Sequence, residues 1–204
     1  MGGTLRKGSK FQNVAFLAKI KKDCMLTDMK QINFSDSVLN RLAKDGLSKS
    51  EDGKNGLTGV DIHSELVEQQ DGRIKLVTET TYEKNGDYMG FGGLIITDFY
   101  KTENPFSLIP KFMVDFDILP RINQFVTAPL ANSITVVYCD NEENINIDLK
   151  DKQKSLNGRA IGALYAATID NNGIIKREII ASRSNKDDKR ATAELIQMYI
   201  ANKQ

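Results

Sequence analysis

The chain has no tryptophan, a single histidine, two cysteines and four prolines. Each shortage removes a class of chemistry. One imidazole, His63, cannot build a multi-histidine zinc centre. No Gly-x-Ser-x-Gly elbow accompanies it, so a hydrolase of that type lacks its nucleophile turn. Cys24 and Cys139 do not make a disulfide framework in 204 residues. A disulfide between them is an open alternative to two free thiols, one of them buried at the end of an apolar strand.

Neither sign of charge predominates. There are 28 basic and 27 acidic residues, for a net charge of +1. That balance offers no clustered basic face, so nucleic acid is not an expected partner. No apolar run is long enough to span a membrane as a helix. The opening residues, MGGTLRKGSKFQ, lack the apolar core of a signal peptide. On that ground the chain is either cytoplasmic or a mature or truncated piece of an exported protein. Arg6, Lys7 and Lys10 mark residues 1–12 as a flexible, solvated tail. A single β-rich domain is expected over residues 13–204.

What is present is period-two patterning. Asn13 to Ile20 and Met25 to Phe34 read as strands around a Lys21–Asp23 turn. Ser35 to Asp45 then places Val38, Leu39 and Leu42 at helical spacing. A serine stands before them and Gly46 after, which are start and stop signals for one short helix over residues 36–45. A polar, Gly-rich loop follows, from Gly46 to Gly59. Val60–Gln70 and Arg73–Glu83 flank Asp71-Gly72, a strong hairpin signal. Ala160–Asp170 and Ile174–Ser182 flank Asn171-Asn172-Gly173 in the same way. Between the two hairpins, Lys84–Gly93 reads as a Gly-rich loop and Leu94–Tyr100 as a central strand. Ser107–Asp117 is strand-like, with Pro110 at an edge or a bulge. Leu119–Ser133 reads as irregular. Ala191–Lys203 prefers helix locally, with Leu195, Ile196, Tyr199 and Ile200 on one face. The class is all-β and mainly antiparallel, built as meander or partial propeller-like sheets.

The stretch ITVVYCDNEENINIDL, Ile134 to Leu149, carries the sharpest chemical question. An apolar strand runs into Asp140, Asn141, Glu142, Glu143 and Asn144. Read as a calcium loop, it lacks glycine at its sixth position and glutamate at its twelfth, where Ile145 and Asp151 stand. A looser cation site would use Asp140, Glu142 and Asn144, with calcium as the metal. The alternative is a hairpin turn. Ile145, Ile147 and Leu149 then face a core while Asn144, Asn146 and Asp148 face water. Asp115 and Asp117 share one face of a strand, and Glu142 and Glu143 are adjacent. Either pair is a candidate for glycoside hydrolysis, which needs two carboxylates across a cleft. Gly90-Phe91-Gly92-Gly93 precedes a strand rather than a helix, so it is not a phosphate-binding loop. Tyr82, Tyr88, Phe91, Phe99 and Tyr100 are either sheet core or an aromatic platform for sugar or peptide. The ligand-binding candidates are Tyr88, Phe91, Gly92 and Asn141.

Several phrases occur together in one order. Gly56-Leu57-Thr58-Gly59-Val60-Asp61-Ile62 is followed by Asp71-Gly72 and then by Leu76-Val77-Thr78-Glu79-Thr80-Thr81-Tyr82. Gly93-Leu94-Ile95-Ile96-Thr97 precedes Ile109-Pro110-Lys111. Val136-Val137-Tyr138 precedes Asp140 and Asn144. In this order, from about Asn13 to the C-terminus, they resemble an uncharacterised family of exported, β-rich, propeller-like proteins of outer-membrane bacteria. Phe106 is the nearest aromatic where the family often has Trp, and Cys139 stands where it usually has Asn. The resemblance implies export, a periplasmic, cell-surface or extracellular location and a β-rich fold. It also implies a strand at Ala193–Ala201 and further chain beyond Gln204. It carries no assigned activity.

The leading functional expectation is a non-enzymatic module of the cell envelope or exterior that binds protein or glycan through its loops. A glycan-directed hydrolase with paired carboxylates and a structural assembly module are the alternatives. The sequence leaves the oligomeric state open.

Overall fold

Two glycines fix the main hairpins. Gly72 has φ +80 and Gly173 has φ +84, a backbone conformation that costs a side chain strain and glycine little. Around Gly72, the Gln69 N–H donates to the Arg73 carbonyl and the Arg73 N–H to Asp71 Oδ1. Around Gly173, Asp170 Oδ1 accepts from the N–H groups of Asn172 and Ile174. Both turns stand where the sequence places them.

The computed structural model describes residues 1–7, 10–44, 63–84, 88–111, 113–114, 125–154, 156 and 162–182. They form three antiparallel sheets, each a meander of strands in chain order, and the sheets do not close into a barrel. The first holds β1 (Gly2–Lys7), β2 (Lys10–Ile20) and β3 (Leu26–Asn33). Helix α1 (Asp36–Lys44) follows, capped by Ser35, whose hydroxyl and carbonyl accept from the Val38 and Leu39 N–H groups. The second sheet runs β4 (His63–Glu68), β5 (Ile74–Lys84), β6 (Tyr88–Asp98) and β7 (Phe106–Ile109). The two-residue β8 (Met113–Val114) also pairs with β6, continuing the track of β7. Pro110 and Lys111 occupy the break, so the proline sits at an edge-strand interruption, as its missing N–H requires. The third sheet runs β9 (Phe125–Pro129), β10 (Ser133–Asn141), β11 (Gly162–Asp170) and β12 (Ile175–Ser182).

The sheets stack. Ala15 of β2, with Phe34, Val38 and Leu39, packs on Leu76 and Ile95 of the second sheet and on Phe99 just beyond β6. The other face of the second sheet presents Val67, Val77, Leu94, Ile96 and Ile109. These meet Ile134, Val136, Tyr138, Tyr165, Ala167 and Ile169 of the third. The middle sheet is therefore buried on both faces. That is why Leu94-Ile95-Ile96 is apolar without alternation: successive side chains enter different cores. β4 lies beside β9, where the Thr127 hydroxyl donates to Glu65 at 2.7 Å. β1 lies beside β4, close enough that a Cβ on Gly2 would sit 2.7 Å from Leu66.

Four expectations need correction. Residues 2–7 of the expected tail form β1, because Leu5 and its neighbours pair with Val14 to Leu17. The expected loop Lys84–Gly93 is largely strand, since β5 and β6 pair out to Lys84 and Tyr88. The irregular stretch 119–133 contains β9, pairing with Ile134 to Tyr138. Ile145–Leu149 is not a strand: a 3₁₀ turn spans Glu142–Asn146, and β10 pairs instead with β11. The loop 46–59, the segment 183–204 with its helix-or-strand question, and Asp115 and Asp117 lie outside the described residues.

Candidate functional site

β10 carries the chain to the site. Its alternation sends Ile134, Val136, Tyr138 and Asp140 toward the middle sheet. At Asn141 the strand ends. The Asn141 side chain accepts from the Glu143 N–H at 3.0 Å and caps the 3₁₀ turn. Asp140 Oδ1 accepts the Asn141 N–H at 2.8 Å. Asp140 and Asn144 are fully buried and Asn141 is nearly so.

This overturns the solvent-facing reading of Asn144. Both atoms of its amide clamp the following loop at Lys154. Nδ2 donates to the Lys154 carbonyl at 3.0 Å, and Oδ1 accepts the Lys154 N–H at 2.8 Å. Arg177 closes the turn from β12, donating to the carbonyls of Asn144 and Ile147 at 3.0 and 2.6 Å. Tyr165 of β11 donates to the carbonyls of Asn141 and Glu142 at 2.9 and 3.0 Å. Its ring stacks on Tyr138, centroids 5.4 Å apart. Tyr138 Oη, Asp140 Oδ2 and Arg177 Nη1 are buried and make no hydrogen bond among the described residues.

Burial dominates the titration here. It raises Asp140 to about 7. The Asn144 side chain, the Asn141 N–H and the charges of Lys111 and Arg177 oppose the rise, in that order. Burial also lifts Tyr138 above the ordinary phenol range, with Asp140 adding to it and Arg177 opposing. Arg177 does this from nearby, without reaching hydrogen-bond geometry. The Cys139 thiol is pushed up to about 12 by burial, with Lys111 opposing. Tyr165 is raised by burial and then by Asp140.

Two buried ion pairs flank the core between the second and third sheets. Lys75 meets Asp98 at 3.1 Å, from opposite positions on β5 and β6, and also donates to the Asp170 carbonyl. Lys111, in the break between β7 and β8, turns inward onto Glu79. A break in an edge strand re-aims side chains in this way. Sequence reading missed both pairs, together with Tyr165 and Arg177. Arg177 did leave a signal, since it occupies the inward position between Ile175 and Ile179.

The metal candidates divide by exposure. Glu142 is half-buried at the start of the 3₁₀ turn, whereas Asp140 and Asn144 are enclosed and hydrogen-bonded as above. Calcium takes six to eight oxygens. Among the described residues no group of three His, Cys, Asp or Glu side chains gathers. Asn141 is engaged in its cap. Tyr88, Phe91 and Gly92 lie on β6, and the side chains of Tyr88 and Phe91 lie outside the described residues, as do those of His63 and Tyr82. The end of β10 and the Tyr88 end of β6 nevertheless share one end of the stack. Of the remaining aromatics, Phe99 is core and Tyr100 is half exposed, with Lys30 Nζ 4.7 Å from its ring centroid. Both cysteines are free, Cys24 exposed and Cys139 buried.

The opposite end of the stack gathers turns. Asn171 reaches Asp71 at 3.5 Å, and Lys101 donates to the Asn172 carbonyl at 2.8 Å. Ser107 donates to the Gly173 carbonyl at 3.3 Å. Compared with known proteins, the chain matches no family model, no curated protein and no solved structure.

Proposed function

We propose that the chain is a non-enzymatic, propeller-like scaffold of the cell envelope or exterior, binding protein or glycan through its turns. The observation that carries this reading is the gathering of turns at one end of stacked meanders. The turns at Asp71, Lys101 and Asn172 converge there and present Tyr100 and Asn172 to solvent, with Lys101 half-buried between them. A half-exposed aromatic ring beside amides and charges suits a sugar or a polar peptide, which needs one stacking face and several hydrogen bonds. A propeller-like arrangement is supported by the adjacency of β1, β4 and β9, each the first strand of its meander. The order of motifs that resembles exported β-rich proteins supports the location.

The test is direct binding. The protein is immobilised and offered a panel of envelope polysaccharides and secreted peptides. Retention of one class, reduced at least tenfold by Tyr100→Ala and by Asn172→Ala, is the expected result. Retention that neither variant changes overturns the assignment of the surface.

A glycan-directed hydrolase is the second reading. It is favoured by Asp140, whose carboxyl burial raises to about 7 beside Arg177 and two tyrosines, and it requires the turn that encloses that carboxyl to open to a substrate. Reducing-end release from the same polysaccharides, abolished by Asp140→Asn, would establish it in place of the scaffold.

A further inference from the structure

Among the described residues, the first sheet stops one strand short of the other two. The paths β4–β7 and β9–β12 have four strands, and β1–β3 has three. Since β1 lies beside β4, the open position runs along β3. Every residue of β3 except Ile32 is exposed. Alternate N–H and C=O groups on its outer edge have no neighbouring strand among the described residues, which makes it a template for one. No proline or glycine interrupts Leu26–Asn33. Met25, Leu26 and Met29 stand exposed here, and Ile20, opposite Leu26 on β2, is exposed as well.

The sequence of β3 is complementary to itself. Two antiparallel copies centred on Met29 set Asp28 against Lys30 of the second copy, and Lys30 against its Asp28. The same register sets Leu26 against Ile32 and Thr27 against Gln31. Sliding by one residue places Asp28 opposite Met29 or Gln31 instead. Sliding by two places Asp28 against Asp28 or Lys30 against Lys30. Opposite charges facing across strands stabilise a pair, and like charges destabilise it. One register therefore satisfies the edge and its neighbours oppose it.

We propose that β3 pairs antiparallel with β3 of a second copy, about a two-fold axis through Met29. The two three-stranded sheets then become one continuous sheet. The interface is isologous, so it closes as a dimer and does not propagate into a fibre. The charged groups facing it are few. Lys19 of β2 lies opposite Asp28 within the same copy, and Lys30 rests over Tyr100; all remain exposed. The new ion pairs form without desolvating a buried charge.

The experiment is sedimentation equilibrium of the full chain from about 1 µM to 1 mM, a range suited to a small interface. A concentration-dependent species of twice the 22.8 kDa chain mass is expected. Asp28→Lys and Lys30→Asp should each weaken it by about tenfold or more. The double swap Asp28→Lys with Lys30→Asp should restore it, because opposite charges face again. Met29→Glu puts two like charges on the axis and should also abolish the dimer. Circular dichroism confirms that each variant is folded. A monomer throughout the range overturns the proposal. So does a dimer indifferent to the swaps, or a double swap no better than the singles.

Discussion

Removing the charge of Asp140 should stabilise the protein above neutral pH. The carboxyl is fully buried, and one of its oxygens makes no hydrogen bond among the described residues. Its folded-state value, about 7, lies above the ordinary 3.8. Between those values the folded state holds a proton that the unfolded chain has released. Stability from this group is therefore complete below about pH 4 and is lost as pH rises through 7. The gap between 3.8 and about 7 spans roughly three decades of proton affinity. At about 1.4 kcal/mol per decade, the ceiling on the loss is about 4 kcal/mol. Asp140→Asn keeps an oxygen for the Asn141 N–H and cannot ionise. It should unfold with no such loss, and at pH 8 it should melt roughly 10 °C above the natural chain, given the usual scaling for this length. At pH 4.5 the two should nearly coincide. Tyr138 and Cys139 are pushed upward and do not titrate in this window. The assay is thermal unfolding by circular dichroism from pH 4.5 to 8.5. A natural chain whose midpoint is flat across that range, or an Asp140→Asn variant less stable at pH 8, would refute the reasoning.

Other perturbations probe the rest of the frame. Glu79→Ala leaves Lys111 buried and uncompensated, so urea unfolding should show a loss of about 3–5 kcal/mol. Replacing both with apolar residues of similar size should recover most of that loss. Gly72→Ala meets open space and carries only the strain of its positive φ, about 1–2 kcal/mol. Gly173→Ala should cost more in the same assay, because its Cβ would stand 2.9 Å from the Ser107 hydroxyl. Thiol labelling under native conditions should modify Cys24 within minutes, while Cys139 reacts only as the chain unfolds.

Local signals proved most legible where one turn residue decides the geometry. Asp71-Gly72 and Asn172-Gly173 mark their hairpins because a positive φ selects glycine, and Ser35 marks the helix because a hydroxyl must meet the free N–H groups. Pairing over longer distances was less legible. β9 has only five residues and a proline at its end, so its strand character rests on β10 rather than on itself. Gly90, Gly92 and Gly93 read as loop residues, yet pairing along β5 holds that part of β6 extended.

The stretch after Tyr138 shows why alternation can be right while its interpretation is wrong. Ile145, Ile147 and Leu149 are half-buried and Asn146, Asp148 and Lys150 exposed, as a strand would have them. The chain nevertheless leaves β10 in a 3₁₀ turn. A strand needs a neighbour to bond its backbone, and here the bonds are made by side chains. Asn144 takes the N–H and carbonyl of Lys154, and Arg177 and Tyr165 take four carbonyls between them. Asn144 can do this only from inside. Asn144, which looks solvent-facing in the pattern, is thus drawn inward as a substitute for a missing strand. Asp140 follows it into the interior, and its raised proton affinity is the consequence. Side-chain satisfaction of backbone leaves no period in a sequence, because its partners are set by the fold. Arg177 lies 33 positions from Asn144. Only the inward place of an arginine between two isoleucines on a facing strand gives it away.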